Sequence, residues 1–137
     1  MKSNYFASKL LSVLLLALSV FLTLGTQFVF HACDAGADGS HMVCHWAQQG
    51  VTGAAGVLVL LHIFHLLARD AKSRAAFLIA GLPVTVLAML VPGRLIPLCM
   101  MADMRCQAVM RPAVLTVGGI ILVLTVIALV LNLRRER

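Results

Sequence analysis

The sequence predicts an all-α membrane protein, a bundle of four transmembrane helices. Of its 137 residues, 61% are hydrophobic and only 12% are charged, a composition that suits lipid rather than water as the surrounding solvent. Four apolar runs are long enough to cross a bilayer, which takes about 20 helical residues. Two cysteine-containing loops separate these runs, and both are expected on one side of the membrane.

The four runs contain no Asp, Glu, Lys or Arg up to their ends, and they predict helices over Leu10–Phe30, Val51–Ala68, Ala75–Val91 and Ala113–Leu133. Turn-forming and charged residues lie between them: Asp34 and Gly36 in the first break, Arg69 to Arg74 in the second, and Pro92 with Gly93 in the third. Because four spans use most of the chain, residues 1–137 are predicted to form a single transmembrane domain with loops 31–50 and 92–112.

The basic residues predict the orientation. One side carries Lys2, Lys9, Arg69, Lys72, Arg74, Arg134, Arg135 and Arg137, and the other carries only Arg94, Arg105 and Arg111. Since positive charge stays inside, both termini are expected in the cytoplasm of a bacterium, with a multi-pass protein in the cytoplasmic (inner) membrane and both loops extracytoplasmic. The net charge of +6 is dispersed over short segments, which suits lipid headgroups and excludes nucleic acid as a partner.

A cleaved signal peptide is the alternative for the first run, because Met1–Lys9 is basic and small residues follow His31. The apolar stretch to Phe30 exceeds the usual core of roughly 7–15 residues. A retained first helix is therefore favoured.

The two halves of the chain repeat each other weakly. The first half contains Cys33 and then Met42-Val-Cys44-His45, and the second contains Cys99 and then Met104-Arg-Cys106-Gln107. This repeat predicts two helical hairpins related by an axis along the membrane normal, which would bring the two loops together above the bundle.

These residues also carry a family resemblance. His41-Met-Val-Cys44-His45-Trp46, Leu95-Ile-Pro-Leu-Cys99, Met104-Arg-Cys106 and Pro112 resemble an uncharacterised family of small four-helix bacterial membrane proteins, a domain-of-unknown-function family often encoded beside MacB-type ABC transporter permeases. Gln107 departs from this pattern, in which a second Cys-His pair is expected. The resemblance implies a membrane protein partner more readily than an activity.

Three hypotheses fit the four cysteines. In an oxidising compartment the local disulfides Cys33–Cys44 and Cys99–Cys106 need the shortest chain closure and would tie the two loops into a cap. A pair of cysteines in each loop also describes DsbB-like thiol-disulfide oxidoreductases, although the spacing is not Cys-x-x-Cys. Alternatively the cysteines, together with His41, Met42, His45, Met100 and Met104, could ligate copper(I) or zinc(II).

His62 and His65 are polar residues inside the second span, where ionisable groups mark functional candidates. Haem is disfavoured, because Met89 lies at a different height and no other helix supplies a histidine. Neutral imidazoles bonded across the bundle are expected, with Thr85 or a backbone carbonyl as partner. The chain carries no catalytic motif of a hydrolase or an ATPase, which argues against an enzyme of those classes.

The sequence therefore predicts an accessory or binding subunit of a membrane complex, most readily a MacB-type ABC transporter, with a disulfide-tied extracytoplasmic cap. A DsbB-like oxidoreductase is the alternative, and a copper- or zinc-binding membrane protein is the third hypothesis.

Overall fold

The protein is described by a computed structural model that covers the backbone of residues 2–136 and the side chains of residues 6–134. Four long helices dominate it: α1 (Lys2–Leu24), α2 (Val43–Leu67), α3 (Ala71–Leu90) and α4 (Arg111–Glu136). Within the described residues, four helical segments are long and apolar enough to span a membrane, which confirms the predicted fold class. The side chains of Lys2, Arg135 and Arg137, which count towards the predicted orientation, lie outside the described part.

The helices form a ring in chain order. Each helix packs against the next one, and α1 also contacts α4, which closes the bundle. The turn between α2 and α3 is short, with Ala68 and Asp70 as the flanking residues. The connections at the other end span residues 30–42 and 91–105, and we call this end of the bundle the cysteine end.

Helix α1 and the residues 25–29 that continue it face the bundle with a stripe of alternating polar and apolar residues at spacings of three and four. Ser12, Leu15, Ser19, Leu22 and Thr26 are all buried, with at most 1% of each side chain exposed. The small hydroxyl residues let neighbouring backbones approach closely, and each hydroxyl oxygen also lies within hydrogen-bond distance of the carbonyl oxygen one turn earlier in the chain. The seam of the bundle is therefore partly polar.

Helix α2 begins earlier than its apolar run indicates, because Val43 and not Val51 is its first residue. Residues 43–50 include polar side chains such as His45 and Gln48 that lower the hydropathy but are compatible with a helix. Cys44 therefore lies in the first turn of a helix and not in a loop, which corrects the predicted loop 31–50. The other helices also extend beyond the expected windows, α1 and α3 at their starts and α4 at both ends.

Two π-helical turns occur at the cysteine end, over Gly25–Val29 and Cys106–Met110. In the first, the Phe30 amide donates to the Gly25 carbonyl at 2.8 Å, and the Phe30 ring folds back over Gly25. A Cβ added at Gly25 would lie 2.5 Å from ring atoms of Phe30, so this close approach requires glycine. The second turn begins at Cys106, and π-helical turns of this kind are frequent at functional sites.

A candidate metal centre of four cysteines

Four different segments contribute one cysteine each to the cysteine end. Cys33 follows the first π-helical turn, Cys44 is the second residue of α2, Cys99 lies in the second long connection, and Cys106 opens the second π-helical turn. Their four Sγ atoms all lie within 4.8 Å of one another. The predicted meeting of the two cysteine-containing segments above the bundle is confirmed.

Two of the three shortest sulfur contacts join residues that are distant in sequence. Cys33 Sγ lies 3.5 Å from Cys106 Sγ, and Cys44 Sγ lies 3.4 Å from Cys99 Sγ. A third contact of 3.5 Å joins Cys106 to Cys99, so the four sulfurs form a continuous series. A disulfide has an S–S length of about 2.04 Å, and all four cysteines are thiols in this structure. The predicted disulfides Cys33–Cys44 and Cys99–Cys106 are not confirmed and stay a prediction.

The cluster is largely closed to solvent. Cys44 and Cys106 are fully buried, whereas Cys33 and Cys99 are partly exposed. The buried cysteines belong to the same apolar core as Phe30 and Met110, so their sulfurs form the part of the bundle interior that lies at the cysteine end. Closed surroundings of this kind are typical of structural metal sites and not of catalytic ones, which keep a position open for substrate.

The two partly exposed thiols differ in acidity. Burial raises the pKa of Cys33, but hydrogen bonds from Cys106, Cys44 and the Arg105 backbone outweigh it and bring that pKa below its ordinary value. A hydrogen bond with Cys44 lowers the pKa of Cys99, yet burial and the neighbouring sulfurs of Cys106 and Cys33 raise it overall. Cys33 is therefore the more acidic of these two thiols.

Side-chain amides hold the segments that carry the partly exposed cysteines. The Ala32 amide donates to Gln48 Oε1 at 2.8 Å, and Gln48 donates in turn to Gln27 at 3.2 Å, which fixes the backbone next to Cys33. On the other side, Gln107 Nε2 donates to the Cys99 carbonyl at 3.1 Å. Gln107, where the resemblance led us to expect histidine, therefore positions a cysteine through its backbone.

A polar cavity of about 330 Å³ adjoins Cys33. Three histidines line it, His31, His41 and His45, and the last two stack with their ring centroids 4.2 Å apart. The predicted metal ligands His41 and His45 thus lie next to the sulfur cluster, but they do not belong to the group whose ligand atoms converge.

The predicted methionine ligands differ in their exposure to solvent. Met100 is fully exposed and Met42 is 44% exposed, while Met104 packs against the apolar core. The structure brings together the four sulfurs of the cysteines, and the methionine ligands stay a prediction.

The two intramembrane histidines contact α1. His65 Nε2 lies 2.9 Å from Ser12 Oγ, its Nδ1 lies 3.1 Å from the Arg74 carbonyl, and His62 Nδ1 lies 2.7 Å from Ser19 Oγ. The expected carbonyl partner is therefore present. Thr85 is not the partner, because its hydroxyl donates to a carbonyl of its own helix. A neutral His65 fits these contacts when its Nδ1–H donates to the Arg74 carbonyl and the Ser12 hydroxyl gives its single hydrogen to Nε2 instead of to the Ser8 carbonyl.

Sequence reasoning missed both serines. Ser12 and Ser19 lie seven residues apart in an otherwise apolar span, and this spacing places them on one face of the helix. The same heptad spacing leads to Thr26, whose hydroxyl lies 3.2 Å from that of Thr52 in α2. The spacing of small polar residues was thus the available signal.

The fold and the cluster together define a class, a membrane protein with four spanning helices and a four-cysteine site at one end. Residues 15–131 match the family described as "Domain of unknown function (DUF4418)". The chain belongs to this family, which confirms the resemblance to an uncharacterised family, while the association with MacB-type permeases stays a prediction. Neither a curated protein nor a solved structure matches the chain.

Proposed function

We propose that this protein binds one thiophilic metal ion with the thiolates of Cys33, Cys44, Cys99 and Cys106, and that zinc(II) is the expected occupant. The observation that carries the proposal is the convergence of the four sulfurs within 4.8 Å. Copper(I) is the other ion that suits soft thiolate ligands, and metal analysis separates the two.

The spacing of the sulfurs supports a tetrahedral site. With Zn–S bonds of about 2.3 Å, the sulfurs of a regular tetrahedron lie about 3.8 Å apart. The contacts of 3.4 and 3.5 Å and the upper limit of 4.8 Å bracket this value. Shifts of about 1 Å or less bring each sulfur into place, and thiol side chains make such shifts by rotation about χ1.

A bound metal ion would cross-link the segments that meet at the cysteine end. Four segments would be joined at one point, and two of them are long connections without regular secondary structure over most of their length. Metal binding to thiolates contributes directly to folding free energy, because an unfolded chain holds no preformed site. We infer that the metal orders a cap on the bundle, and from the excess of basic residues at the other end we place this cap on the extracytoplasmic side.

We further propose that the capped bundle works as an accessory subunit of a larger complex in the bacterial inner membrane, with a MacB-type ABC permease as the first partner to test. The family resemblance supports this proposal, as does the small share of the chain outside the spans. Affinity purification of the tagged chain from native membranes, followed by mass spectrometry, tests it. An ABC permease in constant ratio supports the assignment, and recovery of the chain without one contradicts it.

A thiol-disulfide oxidoreductase is the second candidate, favoured by the continuous series of contacts from Cys33 through Cys106 and Cys99 to Cys44. Two thiols would form one disulfide and release two protons and two electrons, which a membrane quinone would accept. The disulfide could then move along the series by thiol exchange.

The metal content of the purified protein decides between these candidates. Wild-type protein prepared without chelator should hold one zinc ion per chain, and the C44S variant should lose it. A102S is the matched control, because Ala102 is exposed, lies in the same connection as Cys99, and receives the same serine side chain. Metal-free protein with disulfides that a quinone regenerates after reduction would contradict the metal site and support the oxidoreductase.

A further inference from the structure

A second polar cavity lies at the opposite end of the bundle, where α1 begins and α2 turns into α3. It measures about 430 Å³, and its wall includes the cationic residues Lys9, Arg69 and Arg74. These three come from α1, from the turn and from the first turn of α3. Within the described part of the chain, the wall contains no acidic residue, although Asp70 is adjacent in sequence. The cavity is therefore built to attract an anion.

Arg74 has an unused hydrogen-bond donor. Its Nη2 donates to Ser12 Oγ at 3.2 Å, while its Nε is buried and has no acceptor among the described residues. A buried donor without a partner is unfavourable unless a ligand or water accepts from it. A guanidinium fork of this kind matches the geometry of phosphate oxygens, which accept two parallel hydrogen bonds.

Apart from Ser8, the rest of the wall is apolar. Leu66 and Leu67 line the cavity beside the cationic residues, and Leu67 is 70% exposed on the outer surface of the bundle. An anion with an attached hydrocarbon chain would place its charged group against the arginines and its chain along these leucines. Basic pockets at the ends of transmembrane helices bind lipid headgroups in this manner.

We propose that this cavity is a binding site for a phosphate group, coordinated by Arg69 and Arg74. Two sources present this chemistry: the headgroup of an anionic phospholipid and free inorganic phosphate. The site is independent of the four-cysteine cluster, which lies at the other end of the bundle, so neither proposal depends on the other.

Binding to the purified full-length chain tests the proposal with three probes: phosphatidylglycerol, zwitterionic phosphatidylcholine and inorganic phosphate. The R69Q variant removes one cation from an exposed position of the turn and leaves the packing unchanged. The matched control is K72Q, since Lys72 is exposed, lies three residues away, and does not line the cavity. The R74K variant keeps the positive charge but replaces the planar guanidinium group, which can donate two parallel hydrogen bonds, by an ammonium group.

Three results together support the site: binding is saturable, R69Q and R74K weaken it about tenfold, and K72Q changes it by less than about twofold. A tenfold loss of affinity is what the removal of one charged hydrogen bond is expected to cause. Phosphatidylglycerol binding without phosphate binding identifies a lipid headgroup, and equal binding of inorganic phosphate identifies the free ion. If R69Q and K72Q weakened binding equally, the anion would be attracted by the general positive charge of the surface and not by this cavity. That result would overturn the proposal. Absence of saturable binding for both anionic probes would overturn it as well.

Discussion

Oxidation of the metal-free protein should link cysteines from different segments. After chelation and mild oxidation, we expect the disulfides Cys33–Cys106 and Cys44–Cys99, because this pairing uses all four sulfurs in contacts of 3.5 and 3.4 Å, whereas the 3.5 Å contact between Cys99 and Cys106 would leave Cys33 and Cys44 over. Each pair must close by about 1.4 Å to reach the disulfide length of about 2.04 Å, which rotation of two side chains supplies.

The stabilisation expected from these links follows from the chain that each one closes. The partners are 73 and 55 residues apart in sequence. In the chain-entropy model, loops of this size stabilise the folded state by about 4 kcal/mol each when formed alone, compared with about 3 kcal/mol for the short local rings. An oxidised variant with only one cross-segment pair should therefore resist unfolding more than the same variant after reduction.

Peptide mapping without reductant measures the outcome. The C44S/C99S variant retains only Cys33 and Cys106, and C33S/C106S retains the other pair, so each link can be scored alone. Reduced and alkylated samples of the same variants are the controls. Two results together would refute the described arrangement. The wild-type protein would yield only the linked peptides Cys33–Cys44 and Cys99–Cys106, and the single-pair variants would stay as thiols.

Two other properties of the structure are open to measurement. Replacing Ser19 by Ala leaves the Nδ1 of His62 without its partner and should lower the unfolding free energy by about 0.6–1.7 kcal/mol, the range of such contacts in membrane bundles. Adding H62L should recover part of this loss in a thermal unfolding assay, and equal stability of S19A and wild type would contradict the contact. In metal-free protein, Cys33 should be alkylated at lower pH than Cys99, because its pKa is lowered while that of Cys99 is raised and the thiolate is the reactive form. Mass spectrometry of each cysteine across a pH series measures this order, and faster reaction of Cys99 at every pH would reverse it.

The fold was largely predictable because a bilayer leaves few alternatives. Apolar runs of this length must form helices in lipid, where each backbone group has to be bonded within the segment. The start of α2 was missed because hydropathy reports the polarity of the side chains and not the conformation of the backbone. His45 and Gln48 are polar, yet they turn towards the cap while the backbone remains helical.

The predicted disulfides Cys33–Cys44 and Cys99–Cys106 were chosen by distance along the chain, which does not reveal the short contacts that the bundle makes between sequence-distant cysteines. Cys33 and Cys106 are 73 residues apart in the sequence, but the closed ring of helices brings their sulfurs to 3.5 Å. The partners of the histidines were missed for a related reason. A hydroxyl in an apolar span identifies its partner only when the facing helix is known, as for Ser12 and His65.

X-ray absorption spectroscopy of the bound metal tests the central claim most directly, because it counts the ligand atoms around the ion. Protein loaded with zinc should show four sulfur ligands at about 2.3 Å and no nitrogen or oxygen ligand. A coordination shell dominated by nitrogen or oxygen, or protein that takes up no zinc while its cysteines are reduced, would contradict the four-thiolate site.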